Sequence, residues 1–413
     1  MPVKIGDKDV AKLYLGEQLL SSVRIGNVQV SAGGGGPVPL PGQFNFKTSQ
    51  FSKTKPALAR VAGGTGRGKF VCVGDSTTFG EGSGTGGNGR VGCMPKGWPA
   101  KLAAALTGLG NPAINENKVG SSGITTTTVT ITENRNSVKP GFNPASSGWI
   151  LSTSTTAGGV LFTNTTDTTS VLSYAPTVQI TKFELIELTI STGGSITYNV
   201  DGGAETVLDQ SGASSIRRTI IDCGAKGLHT LNIKRVSGNA FVIGVRAWDD
   251  TTPAIDIWNL GNCVSQTSDW IGTANPWSAL NAVTNHCADA DLVFIDLTIN
   301  NALLSPSSYN TTYPTQMQSI INAAKAGGAD VLLMTGNPSR VDIIADSVQQ
   351  QFRQALRTLA TTNDLPMIDQ YDKYTDWVTL NALGWMFNAN HPNELQYTDL
   401  GTFLASSLKA WAV

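Results

Sequence analysis

At 413 residues, with 40% hydrophobic and 14% charged residues, the chain has enough apolar content for a core and far fewer charges than an average domain. A net charge of −1 gives no electrostatic case for binding nucleic acid or inserting into an anionic membrane. Five cysteines without Cys-x-x-Cys spacing support neither a disulfide framework nor a zinc site, and neither a transmembrane-length apolar run nor a signal peptide is expected.

The first thirty residues carry an internal repeat. An apolar-x-apolar-Gly-x-x-x-apolar pattern starts at Val3, Leu13 and Val23, with Gly6, Gly16 and Gly26 at the same place in each copy. Alternation predicts strands, and the fixed glycine supplies a turn. Units this small bury little surface alone, so residues 1–32 are expected to pair with other copies or with a larger partner. Four glycines at 33–36 followed by Pro37, Pro39 and Pro41 predict a linker over 33–45.

From residue 70 the pattern becomes α/β. A buried strand over 70–73 ends in Gly74-Asp75-Ser76, and a helix is expected over 98–106. Residues 123–250 are rich in Thr, Ser and Gly. Strands are predicted there over 126–132, 159–162, 183–190, 195–200, 217–221, 229–235 and 241–247, the pattern of an antiparallel sandwich. Asp201-Gly202 is expected to turn a hairpin. The α/β alternation then resumes, with strands over 254–259, 292–297, 331–334 and 367–369 and helices over 315–326, 347–361 and 398–411. Together these predict one three-layer, doubly wound, flavodoxin-like domain formed by 46–122 and 251–413, with the sandwich inserted between its first and second strands.

Polar clusters come after the strands of that domain: Ser76 after the first, Asn259-x-Gly261 with Val264 after the second, Asn300-Asn301 after the third and Asn388-x-x-His391-Pro392 before the last helix. Ligands in open α/β sheets bind beyond the carboxyl ends of the strands, so these clusters are expected to converge. In order and type they resemble the four blocks of the SGNH (GDSL-like) hydrolase superfamily. The insert, with Gly227-Leu228-His229-Thr230-Leu231 near its end, and the Tyr14-Leu15-Gly16 repeat resemble bacteriophage tail-associated members.

The resemblance implies a serine ester hydrolase with Ser76 as nucleophile and His391 as general base. It implies an oxyanion site formed by the backbone N–H groups of Ser76 and Val264 and the Asn300 amide, with Asp75 and Gly261 in support and no metal or organic cofactor. It further implies a virion location on the phage tail, attachment to other tail proteins through residues 1–32, trimers, and deacetylation of an O-acetylated polysaccharide on the host cell surface.

Three positions depart from the family pattern. Val264 stands where glycine is usual, Thr298 precedes the Asn300 block, and Asn388 occupies the place of the acid that orients the histidine. An amide can hold the wrong histidine tautomer, a change that costs about 10⁴ in turnover in a Ser-His-Asp triad. Two readings are open: a Ser-His dyad with other support, or a non-catalytic receptor-binding or baseplate protein that keeps the fold. Of the remaining histidines, His229 is expected in a sandwich strand and His286 just before a buried strand, both structural. Trp149, Trp248, Trp258, Trp270 and Trp277 are candidates for packing or for stacking on sugar rings.

Overall fold

The structure is a computed structural model that describes residues 37–90, 92–120 and 148–412, together with the backbone of strands within 3–31 and at 143–144. The tetraglycine at 33–36 and the strand expected over 126–132 lie outside the described residues.

Within the repeat, Val3–Ile5 pairs with Lys8–Val10, Tyr14–Leu15 with Gln18–Leu19, and Ser22–Ile25 with Val28–Ser31, each antiparallel. Each copy of the repeat therefore contributes one antiparallel strand pair.

Five parallel strands carry the remainder of the architecture: Gly68–Gly74, Ile255–Gly261, Leu292–Asp296, Asp330–Met334 and Met367–Ile368. Numbered along the chain they lie side by side as 2-1-3-4-5. Ala113–Ile114 borders the second, and an antiparallel Gln43–Phe44 borders the fifth. Gln43–Phe44 falls inside the expected linker, so the sheet begins earlier than composition suggested. Pro39 and Pro41 obscured a strand only two residues long.

Alternating residues of each strand face opposite sides, as the period of two requires. Val71, Val73, Val293, Ile295, Val331 and Leu333 pack with the helices Ala279–Cys287, Thr312–Lys325 and Asp346–Thr362. Phe70, Cys72, Leu292, Phe294, Leu332 and Met334 pack with Thr54–Ala62, Trp98–Gly108 and Glu394–Trp411.

Register decides where the polar clusters go. Gly74 lies opposite both Gly261 and Asp296, and Asp296 opposite Met334, which lies opposite Ile368. The strands thus end flush, and their C-terminal loops emerge along one edge.

Between the first and second parallel strands the chain forms two antiparallel sheets. One orders Ile150–Thr156, Gly159–Asn164, Ala240–Trp248, Ile180–Thr189 and Ser215–Gly227, with Asn117–Val119 also paired to Ala240–Trp248. The other orders Asn143–Pro144, Val171–Tyr174, Leu231–Ser237, Ser195–Val200 and Thr206–Asp209. Phe162, Phe183, Leu185 and Val242 of the first share an apolar cluster with Leu172, Ile196, Leu231 and Ile233 of the second. The opposite face of the first sheet, through Leu161, Ile186, Leu188 and Ile243, joins the cluster of Trp258 and Leu260 in the parallel sheet. Antiparallel pairing starts at Asn117, ahead of the boundary expected at 122/123. Asp201 (φ 55°) and Gly202 (φ 74°) turn the hairpin between Ser195–Val200 and Thr206–Asp209, with the Gly203 N–H donating to the Val200 carbonyl.

His229 sits elsewhere than expected, while His286 precedes the buried strand Leu292–Asp296 as expected. His229 precedes the strand Leu231–Ser237 and pairs with Asp201 at 2.7 Å. His286 is buried in the last turn of Ala279–Cys287, a helix whose Asn- and Thr-containing sequence hid its period. Trp149, Trp248, Trp258 and Trp270 are buried and serve packing, while Trp277 is half-buried against the core.

Candidate active site

The first parallel strand ends at Gly74, where an added Cβ would lie 2.0 Å from Thr78 Oγ1 and 2.9 Å from the Asp296 carbonyl oxygen. Only a residue without a side chain lets the chain turn so tightly. Asp75 then caps the four-residue helix Ser76–Phe79 by accepting from the Thr77 N–H at 2.9 Å, and Gly80 (φ 102°) closes it by donating to the Ser76 carbonyl. Ser76 is thereby fixed at the start of the helix, directly beyond the strand.

Its hydroxyl is 2.9 Å from His391 Nε2, across 315 residues of sequence. His391 belongs to a tight loop in which Asn388 Oδ1 accepts from the backbone N–H groups of Asn390 (2.9 Å) and His391 (2.8 Å). The same oxygen lies 3.2 Å from His391 Nδ1. Two backbone donors thus identify the oxygen of this amide, whose nitrogen is also 3.2 Å from Nδ1; with Oδ1 accepting from Nδ1–H, Nε2 is left to receive a proton. The loop is braced by Asn337 Nδ2 donating to the Asn390 carbonyl (2.9 Å) and Trp377 Nε1 donating to the Asn388 carbonyl (3.2 Å). Burial depresses the basicity of His391. The Glu81 carboxylate opposes that effect, and the Arg90 guanidinium adds to it.

The second polar cluster locks onto the first. Asn259 Nδ2 donates to the Thr78 carbonyl (2.9 Å), and the Asn262 N–H donates to the Gly74 carbonyl (2.9 Å). Val264 comes next in this turn with φ 67°, a left-handed conformation that a β-branched residue adopts only at a cost. Glycine would adopt it freely. Val264→Gly is expected to raise stability by roughly 0.5–1 kcal/mol, the relief of strain exceeding the added freedom of the unfolded chain; a urea titration measures it.

Asn300 Nδ2 donates to the Ser265 carbonyl (3.0 Å), leaving its second amide hydrogen for another acceptor. Asn301 holds the same turn from behind, accepting from the Thr267 N–H (2.9 Å) and donating to Thr267 Oγ1 (3.0 Å). The structure therefore brings Ser76, His391 and Asn388 into contact and ties Val264, Asn300 and Gly261 to the same edge. Among the described residues no cluster of three or more metal-ligating side chains forms.

Beneath Ser76 lie two wholly buried carboxyls, Asp75 and Asp296, joined through Thr77 Oγ1, which is 2.9 Å from Asp75 Oδ1 and 3.1 Å from Asp296 Oδ2. Burial pushes Asp296 well above the carboxylate range and Asp75 up to about 6. A raised native value means that the Asp75 contribution to stability is complete below its unfolded value near 3.8 and is lost as pH rises through about 6. Asp75→Asn keeps the capping oxygen and removes this loss. Its unfolding free energy should gain roughly 3 kcal/mol on wild type between acid and neutral pH, read by urea denaturation across that range.

Sequence reasoning quoted Asn259 without giving it a role and missed Asn337, Trp377, Glu81 and Arg90. Glu81 and Arg90 carried one signal, as charges in a glycine-rich loop of a charge-poor chain.

No family model matches the chain, and no curated protein matches it. Among solved structures, a Bacillus subtilis protein is similar at 15% identity over 71% of this chain and 98% of its own, with a TM-score of 0.34. Est24, a carbohydrate acetylesterase from Sinorhizobium meliloti, is similar at 14% identity over 38% of this chain and 79% of its own, with a TM-score of 0.29. A family two carbohydrate esterase from Clostridium thermocellum is similar at 11% identity over 65% of this chain and 98% of its own, also with a TM-score of 0.29.

Proposed function

We propose that the chain is a serine ester hydrolase of the SGNH (GDSL-like) type, built on a doubly wound domain with the two antiparallel sheets as an inserted sandwich. The observation that carries this is the Ser76 Oγ to His391 Nε2 contact of 2.9 Å, with Asn388 Oδ1 on the opposite ring nitrogen. Ser76 Oγ attacks the ester carbonyl as its proton passes to Nε2. The oxyanion is received by the Ser76 and Val264 N–H groups and the Asn300 amide. Imidazolium Nε2–H then protonates the departing alkoxide, and water, deprotonated by the same nitrogen, releases the acid from Ser76.

The substrate in this reading is an O-acetylated polysaccharide of a bacterial surface, and the protein is a virion component of a phage tail. Residues 1–32, with their three antiparallel strand pairs, would attach it to other tail proteins, as a trimer. The test is incubation with a fluorophosphonate probe and then peptide mass spectrometry, together with acetate release from a panel of surface polysaccharides. A single adduct on Ser76 and acetate from one polysaccharide support the proposal; no adduct and no acetate overturn it. A second reading, a receptor-binding protein without turnover, is favoured by Asn388 in the place of the acid and by the strained Val264. It takes over if cells or glycans are bound and no ester is cleaved.

A further inference from the structure

His391 has a neutral amide at Nδ1 and a carboxylate near its other nitrogen. Glu81 Oε2 is 3.8 Å from Nε2, and the Glu81 side chain is 5% exposed. Its position is fixed by backbone bonds on both sides: the Glu81 N–H donates to the Ser76 carbonyl (2.9 Å), and the Glu81 carbonyl accepts from Tyr397 Oη (2.7 Å). Gly82 (φ 91°) then presses the loop onto the histidine segment so closely that a Cβ there would lie 2.2 Å from the Pro392 carbonyl oxygen. Arg90 Nη2 lies 2.9 Å from the same Glu81 oxygen, giving the buried carboxylate a counter-ion. Among the described residues, the charged groups acting on His391 are these two.

We infer that Glu81 supplies, from the Nε2 side of the ring, the negative charge that Asn388 cannot supply from the Nδ1 side, and that Arg90 sets how much of it His391 feels. This rests on the esterase reading. When the Ser76 proton moves to Nε2 the ring becomes a cation, and a buried anion at this separation stabilises it. The proton goes on to the leaving alkoxide, so Glu81 remains a carboxylate throughout and forms no bond to substrate. A neutral acceptor at Nδ1 can fix the tautomer and cannot balance the charge. Glu81 and Asn388 thereby divide between them the two tasks that one acid performs in a triad.

The experiment measures kcat/KM for p-nitrophenyl acetate against pH with the full chain. Glu81→Gln is expected to lower the neutral-pH value by roughly 10- to 100-fold and to move the acid limb to lower pH, because the ring loses its anion and keeps its cation. Arg90→Gln should move the limb the opposite way, to higher pH. Adding Asn388→Asp to Glu81→Gln should restore most of the loss, since charge returns at the other nitrogen. If the pair merely held the loop in place, breaking it from either side would lower activity without opposite displacements of the limb.

An unchanged profile in Glu81→Gln, or limbs moving the same way in both variants, overturns the inference. Should Glu81→Gln not fold, Glu81→Asp decides: the shorter side chain draws the carboxylate away from Nε2, so a limb moved to lower pH supports the inference and an unmoved one overturns it. A wild-type rate that Ser76→Ala leaves intact removes the esterase reading itself. A Ser76-dependent rate insensitive to Glu81 removes only the inference.

Discussion

Ser76→Ala is expected to lower kcat/KM for p-nitrophenyl acetate by at least about 10³-fold while leaving the fold intact. Ser76 is 3% exposed, and its hydroxyl contact is with His391 Nε2, so alanine removes the nucleophile without opening a cavity or stranding a charge. The helix that bears it is capped by Asp75 and closed by Gly80, neither of which uses the serine side chain. The urea midpoint should therefore stay near that of wild type, and binding to cells or glycans should survive. A residual rate within tenfold of wild type would place the chemistry on another residue.

Gly261→Ala is expected to have the largest effect on stability, roughly 2–4 kcal/mol, with turnover falling by about 10²-fold in whatever protein still folds. An added Cβ would lie 2.1 Å from the Phe79 nitrogen, 2.5 Å from its Cα and 2.7 Å from the Thr78 carbonyl carbon. All three are backbone atoms, so no rotamer change relieves the overlap. The helix Ser76–Phe79 must shift, and Ser76 shifts with it, away from a histidine anchored on a separate loop. Denaturation by urea and kcat measured on the same preparation test both parts. Stability equal to wild type would mean that the second strand gives way instead.

The parallel half of the fold was legible because its strands and helices are long, apolar and periodic. The strand Leu292–Asp296 and the helix Asp346–Thr362 lie within a few residues of their expected bounds. What escaped was short or compositionally disguised. Gln43–Phe44 is a two-residue edge strand inside a proline-rich stretch, and Thr54–Ala62 carries a proline in its first turn. Ser215–Gly227, read as five residues, is a thirteen-residue strand whose outer half is exposed and so lacks an apolar signature.

At the site, Ser76, Asn300 and His391 could be named because each sits in a motif with fixed neighbours. The orientation of Asn388 could not, since it depends on two backbone N–H groups in a turn whose shape no periodicity encodes. Glu81 and Arg90 escaped for a related reason: their meeting with His391 joins a glycine-rich loop to a segment some three hundred residues away, a contact created by the flush register of the strands.

The antiparallel sheet that contains Ile180–Thr189 is buried on both faces, one against its companion sheet and the other against the parallel strands. It therefore behaves as a shared wall, and the two halves of the molecule cannot be inherited independently. Excising residues 150–248 to obtain a minimal catalytic unit would strip the apolar cover from Trp258 and Leu260 and expose the floor on which the nucleophile strand rests. The companion sheet, by contrast, places none of its described residues in the cluster with the parallel strands. Its strands nevertheless alternate along the chain with those of the wall and share a core with them, so wall and outer sheet form one piece of sequence, and neither can be exchanged without the other.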